Sequence, residues 1–311
     1  MAGAKRKPGD AGPVRFRVVE SEDGSTLGSL VARRLGNLTA SQGRELVRAG
    51  GVYMGHLRIR VPTARVIPGE RITVYPSALE HEPLPCAAVK FVHRDPAFVV
   101  LDKPAGTPVA QTKQSARGTL SEALRRVLTQ EGMNRPYVGV VHRLDRDASG
   151  LVLLTIRDIA NKSLHQQFVD HTIHRQYRTL LHGSAPQQWD CDAPLREVRS
   201  GKMTVATEGE PRAQPAQTRF ERLQPHGASR PDTTLALATL QTGRTHQIRV
   251  HAAHTGHAVV GDAKYGADAD PADKTPLHLH AWRLEFTHPV TGKPIVVTSP
   301  LPTWAVAARD R

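Results

Sequence analysis

The chain has 311 residues, enough for one large domain or two modest ones with a sizeable core. Hydrophobic residues make up 39% and charged residues 23%, ordinary for a globular protein, but 42 Lys+Arg against 29 Asp+Glu leave a formal net charge of +13. Such a surface attracts polyanions, nucleic acid before an anionic membrane, and two distant cysteines (Cys86, Cys191) exclude a disulfide framework or a cysteine zinc knuckle.

Residues 1–13 are rich in Lys, Arg, Gly, Pro and Ala and read as a flexible basic tail. No apolar run follows those basic residues, so no secretory signal is expected, and no stretch approaches the ~18 apolar residues of a membrane span. A cytoplasmic location is the expectation. Residues 14–76 read as a small module. Leu27, Leu30, Val31 and Leu35 recur at helical spacing, and Thr39 with Gln42 forms a capping box that opens a second helix, stopped at Gly50-Gly51. "VYMGHLRIRV" and "RITVY" then read as strands around a Pro68-Gly69 turn. Between Val31 and Tyr75 there are eight arginines against two acids. This helix pair, the V-x-x-G turn and the Pro-Gly-Glu before the last strand resemble an S4 RNA-binding domain. The resemblance implies RNA contacts from Arg33, Arg34, Arg44 and Arg48.

Residues 77–90 read as a Pro-containing linker, and 91–311 as a second domain. Short strand-like runs (Phe98–Leu101, Val138–Val141, Leu151–Leu154, Leu235–Leu240, Ile295–Val297) alternate with turns and sparse helices, one of them carrying Ala160, Leu164 and Phe168. The segment 226–232 reads as a loop. This pattern predicts an α+β domain on a large, mostly antiparallel mixed sheet, preceded by the small α+β module.

Within it, "HRLDRDASGLVLL" (142–154) sets Asp145 at the centre of a loop between two strands. Arg143 and Arg146 flank it and would favour its ionised form, which can serve as nucleophile or general base. Ser149-Gly150 lacks the Gly-x-Ser-x-Gly pattern of a nucleophile elbow and reads as loop geometry. His246, His251, His254 and His257 crowd together, with His278 and His280 further on, but a helix-borne His-Glu-x-x-His is absent and "THQIRVH" reads as strand, so no metal site is expected.

The loop resembles the catalytic motif of the RluA-type pseudouridine synthases, departing from it by Ala148 where Thr is usual. Four further stretches resemble that family's motifs in its order: "LDKPAG" (101–106), "HRQYRTLL" (174–181, with Arg175 for the usual Lys), "GRTHQIRVH" with "GDAKYG" (243–266), and "LHAWRLEFTHPVTGK" (279–293). The resemblance implies isomerisation of uridine to pseudouridine in RNA, ribosomal RNA before tRNA, without cofactor or metal; the oligomeric state is left open, a monomer being the plain expectation. It implies Asp145 as the essential aspartate, Arg249 as its partner, Tyr177 stacking on the uracil with its phenol a candidate base, and Ile248 on the opposite face. Arg143 would fill the space of the flipped base, and Arg244, Gln247 and Lys103 are further candidates for structure or substrate contact. An RNA-binding protein of the same fold and, more remotely, a metal-dependent nucleic-acid hydrolase are the alternatives.

Overall fold

The computed structural model describes residues 12–207, 209–224, 232–266 and 274–310. The tail expected before residue 12 and most of the loop expected at 226–232 lie outside them. Contacts divide the chain into two compact units: residues 1–88 with 110–132, and residues 89–109 with 133–311.

The first unit is an antiparallel sheet of β1 (Val14–Arg17), β2 (Val52–Met54), β3 (Leu57–Ile59) and β4 (Arg71–Val74), in the order β1-β4-β2-β3. The strand-like run "VYMGHLRIRV" is a hairpin of β2 and β3, turned at the V-x-x-G glycine, where Gly55 takes a positive φ of 60°. Helices α1 (Leu27–Leu35) and α2 (Ala40–Arg48) supply the other core layer, through Leu27, Leu30, Val31, Leu46 and Val47 against Val52, Ile72 and Val74. Thr39 accepts from the Gln42 amide and Gln42 reaches back, as the capping box requires. Helix α3 (Leu120–Gln130) and the segment before it fold with this unit, although they follow the linker in sequence. The Ala116 amide donates to the Ala49 carbonyl at 2.8 Å, the Tyr53 hydroxyl to the Lys113 carbonyl at 3.0 Å, and Arg117 pairs with Glu45.

The second unit is built on a ten-stranded sheet. Its strands are β5 (Lys90–Arg94), β6 (Phe98–Lys103), β7 (Gly139–Val140), β8 (Ser149–Thr155), β9 (His174–His182), β10 (Gln188–Cys191), β13 (Thr218–Arg222), β14 (Thr233–Leu240), β15 (Leu279–Thr287) and β16 (Pro294–Thr298). The main path runs β10-β13-β14-β9-β15-β8-β6-β5, with β16 on β15 and β7 on β8. Every pairing is antiparallel except β15 with β8, so the sheet is mixed, as expected. Strands β6 and β8 read as unbroken apolar runs because both their faces are covered. The two short strands β11 (Leu195–Glu197) and β12 (Met203–Val205) form a separate hairpin. Helices α4 (Asp158–Val169) and α5 (Gln247–His254) complete the unit. Among the described residues no helix is long and apolar enough to cross a membrane.

Helix α5 corrects the strand expected over "THQIRVH". Ile248 and Val250 alternate with polar residues, which reads as period two, yet Gln247 to Ala252 are all buried. Where surroundings bury every face, periodicity carries no signal, and packing overrides the β-preference of two branched residues.

Candidate active site

The loop from β7 to β8 is held at both ends. At its start, the His142 ring stacks on Phe168 with centroids 4.7 Å apart and accepts the Leu153 amide proton at Nε2, 2.9 Å away. Burial, then the charge of Arg175, pushes His142 down to about 3, so it stays a neutral acceptor. At its end, Ser149 Oγ lies 2.8 Å from His280 Nδ1, and Gly150 opens β8 with a φ of 102°. A Cβ at Gly150 would run into the Ala281 backbone, so only glycine lets the parallel pair β8–β15 close here. The loop's middle is braced by Lys103, whose ammonium donates to the carbonyls of Pro104, Thr107 and Arg146 at 3.0, 2.9 and 2.8 Å. All three protons are used, so Lys103 is a brace and has none left for substrate. Burial pushes it down to about 8.

Asp145 stands at the loop's apex, one fifth exposed. Its bonded cation is neither sequence neighbour. Arg146 turns away and donates to the Gly106 carbonyl, and Arg143 is exposed. Instead Arg249, brought up by α5, donates from Nη1 to Asp145 Oδ2 at 3.0 Å. The rest of that guanidinium is clamped by Asp262, which accepts Nε and Nη2 at 2.7 Å each. Asp262 Oδ1 also accepts the Lys264 and Tyr265 amides. Burial pulls the Asp262 carboxyl upward, but the bonds and charge of Arg249 and those two amides outweigh it and hold it below the usual range. Gly261 sets Asp262 in place: its φ is 77°, and a Cβ there would strike the Pro276 backbone. The other oxygen of Asp145, Oδ1, lies 3.8 Å from His246 Nε2.

Seven of the residues expected at the site line one cavity: Arg143, Asp145, Tyr177, Arg244, Gln247, Ile248 and Arg249. Tyr177 comes from mid-β9, between Ala238 of β14 and Ala281 of β15, small neighbours that leave its ring room. Burial pushes its phenol up, so the proton stays on near neutral pH. Arg175 lines the cavity beside it, over the Phe168 ring. Gln247 touches the cavity wall but is committed elsewhere. Its Oε1 accepts from Thr242 Oγ1 and the Arg244 amide, and its Nε2 donates to the Gln217 carbonyl and Thr218 Oγ1. It fixes the turn before α5 and has no valence left for a base, which corrects its expected substrate contact.

Of the crowded histidines, His251 bonds Thr218 and the Ala193 carbonyl, and His257 bonds the His182 carbonyl. Because α5 is a helix, conformation gives no argument against a zinc motif. The missing glutamate does, since Gln247 follows His246. Asp262 is the site residue that sequence reasoning missed, although its signal stood in the "GDAKYG" stretch.

Asp145, held by the helix-borne Arg249, thus shares one cavity with Tyr177 and Ile248 on a large mixed sheet, and comparison with known proteins gives the class, an RNA-modifying isomerase. Residues 97–254 match the RNA pseudouridylate synthase family, and the chain belongs to it. Over 223 residues it is 36% identical to the ribosomal large subunit pseudouridine synthase D of Nitrosomonas europaea, a match covering 69% of this chain and 62% of that protein. Over 298 residues it is 32% identical to the uncharacterized RNA pseudouridine synthase YlyB of Bacillus subtilis, covering 91% of this chain and 92% of that one. Among solved structures it is similar to human RNA pseudouridylate synthase domain containing 1, with a TM-score of 0.59 and 26% identity over 72% of this chain and 89% of that chain.

Proposed function

We propose that this protein converts uridines of ribosomal RNA to pseudouridine, with Asp145 acting on a nucleotide extruded into the cavity. The observation that carries the reading is the 3.0 Å bond from Arg249 to Asp145 in the cavity that Tyr177 and Ile248 also line. The reaction breaks the bond from uracil N1 to C1′, turns the base and joins C5 to C1′. C5 loses one proton and N1 gains one, so the atoms balance without an electron donor or group donor. A stacked uridine hides C1′, so the base must leave its helix at a cost of a few kcal/mol. Tyr177 offers a ring face to the extruded uracil and Ile248 the opposite wall. The raised phenol suits Tyr177 to stacking and counts against it as the base at C5. Arg143, exposed at the rim, suits the space the base vacates.

Basic groups that grip the backbone offset the cost of extrusion. Beside the site a cavity of about 830 Å³ is lined by Arg196, Arg199, Arg212 and Arg244 with Glu197 and Glu210; Arg196 is paired with Glu210, so Arg199, Arg212 and Arg244 are the arginines that suit phosphates. In the first unit, Arg33 and Arg34 of α1 and Arg44 and Arg48 of α2 are exposed, and we read that unit as an S4-like RNA grip. Arg34 is partly committed, with two 2.8 Å bonds to Glu22, and Arg48 pairs with Glu45 at 3.4 Å, so Arg44 is the better candidate for phosphate contact. The ribosomal substrate rests on the name of the Nitrosomonas europaea relative.

The test is to map pseudouridines in ribosomal RNA and tRNA from cells lacking the gene, complemented with wild type or Asp145→Ala. Loss of one or a few ribosomal sites, restored by wild type alone, is the expected result. Purified Asp145→Ala should keep its RNA affinity while tritium release from C5-labelled uridine falls to background. Pseudouridine formed by that variant at a comparable rate would overturn the assignment.

A further inference from the structure

His246 is the residue beside Asp145 for which the reading above has no use. Its backbone lies in the left-handed region, φ 55° and ψ 21°, as the N-cap of α5. That conformation is uncommon for a residue with a Cβ and marks a side chain whose direction matters. The ring points two ways at once. Nδ1 is 2.7 Å from the Tyr265 hydroxyl, and Nε2 is 3.8 Å from Asp145 Oδ1.

The hydrogen bonds decide where the imidazole proton sits. The Tyr265 oxygen accepts the Met203 amide proton at 3.1 Å. A phenol has one proton of its own. Lys202, Lys264 and Arg249 stand over the Tyr265 ring at 5.1, 5.7 and 5.2 Å, and cations accept no proton. His246 Nδ1, 2.7 Å away, is the neighbour that can take the phenol proton, and the tautomer proposed below has it as the acceptor. A neutral imidazole that accepts at Nδ1 carries its proton at Nε2. The groups facing the ring are Asp145 and Asp262 on one side of the balance, and Arg249 and Lys264 on the other. Burial is the largest influence and pushes His246 below its ordinary value, so the neutral form holds near pH 7.

We propose that His246, locked by Tyr265 as the Nε2–H tautomer, is a positioning residue for the catalytic carboxylate. Arg249 holds Oδ2 and the His246 Nε2–H steers Oδ1, so both oxygens are oriented before the nucleotide arrives. The 3.8 Å separation is longer than a hydrogen bond, and contacts of this kind tighten in substrate complexes. The chain of donors runs from Met203 through Tyr265 and His246 to Asp145. It gives "GDAKYG" a second function, since Asp262 orients Arg249 and Tyr265 orients His246. This inference rests on the proposed role of Asp145.

The test combines nitrogen-15 NMR of histidine-labelled protein with steady-state kinetics on unmodified large-subunit ribosomal RNA. The wild-type His246 signal is expected to show protonated Nε2 and bare Nδ1 at pH 7.5, assigned through His246→Gln. Tyr265→Phe removes the phenol proton, so the signal should shift toward a mixture of tautomers. kcat should fall about tenfold, the worth of one oriented hydrogen bond, with KM unchanged. A glutamine amide reaches the place of Nε2 and an asparagine amide does not, so His246→Gln should retain several-fold more activity than His246→Asn. A wild-type Nδ1–H tautomer, or Tyr265→Phe with unaltered tautomer and kcat, would sink the proposal. A merely structural Tyr265 would lower the melting temperature and leave the tautomer alone, which also counts against it. If the wild type makes no pseudouridine, the functional reading fails, and the NMR signal still decides the tautomer.

Discussion

Arg249 divides its guanidinium between two carboxylates, and it grips Asp262 harder than Asp145, the one proposed to act. Two bonds of 2.7 Å go to Asp262 and one of 3.0 Å to Asp145. Asp262 thus aims the arginine, and its charge offsets a cation that would otherwise be buried with one partner. Asp262→Asn keeps the shape and the acceptor for the Lys264 and Tyr265 amides, but loses the charge and one arginine bond. We expect kcat to fall at least tenfold in tritium release, and stability at pH 7 to fall by about 3 kcal/mol, as for other broken buried pairs. The native carboxyl titrates below its unfolded value, so its stabilisation is present above about pH 4 and is lost as pH falls through the native value. Urea midpoints for wild type and Asp262→Asn should accordingly draw together as pH falls from about 4 through the native value, and a gap that does not narrow over that range would refute the ion-pair account. Asp145, Tyr177, Ile248 and Arg249 were legible in the sequence because the motifs that carry them are contiguous strings. Lys103 and Gln247 sit in equally visible strings, which leave structure and substrate contact both open. What separates them is the number of hydrogen-bond valences left over, which depends on carbonyls far away in the chain, such as Arg146 and Gln217.

Strand β8 carries the Asp145 loop on its leading end, and two neutral histidines brace it. His142 accepts the Leu153 amide in the strand's middle, and His280 of β15 joins Ser149 to Ser299 at its start. Burial pushes His280 down to about 4, below the 6.5 or so of an unfolded histidine. Between those values the unfolded chain binds a proton that the native chain refuses. Stability is therefore full above about pH 6.5 and falls as pH drops toward 4, with a slope approaching about 1.4 kcal/mol per pH unit for each such histidine. Denaturation by urea from pH 8 to 4.5 should show this slope, and His280→Gln, less stable at pH 8, should show it reduced by one proton. An unchanged slope in that variant would mean that His280 does not titrate on unfolding. The strands themselves were legible because β6 and β8 are long apolar runs between turns. Helix α5 was not, because its neighbours bury it on all sides and leave no polar stripe to reveal the 3.6 period.

At the scale of the whole chain, sequence order and spatial order part company once. Residues 110–132 follow the linker and the first two strands of the large sheet, yet they fold with the N-terminal unit. Nothing in their composition announces this, since the ties are single bonds to distant carbonyls and side chains. Arg58 donates to the Lys113 carbonyl at 3.1 Å and to Gln111 Oε1 at 3.0 Å, the Tyr53 hydroxyl meets Lys113, and the Ala116 amide meets Ala49. Arg58 is thereby an internal clamp, which also removes it from the arginines free to meet RNA. A chain lacking residues 14–76 loses every one of those partners at once, so its 110–118 segment has no structure to hold it even if the large sheet forms. Local opening of that kind is read by proteolysis. Trypsin should cut after Lys113 and Arg117 at least tenfold faster in the truncated chain than in the full one, with fragments assigned by mass. Arg58→Ala in the full chain should move the rate part of the way. Equal rates in all three proteins would mean that residues 110–118 keep their fold without the N-terminal module, and that the unit boundary is not an energetic one.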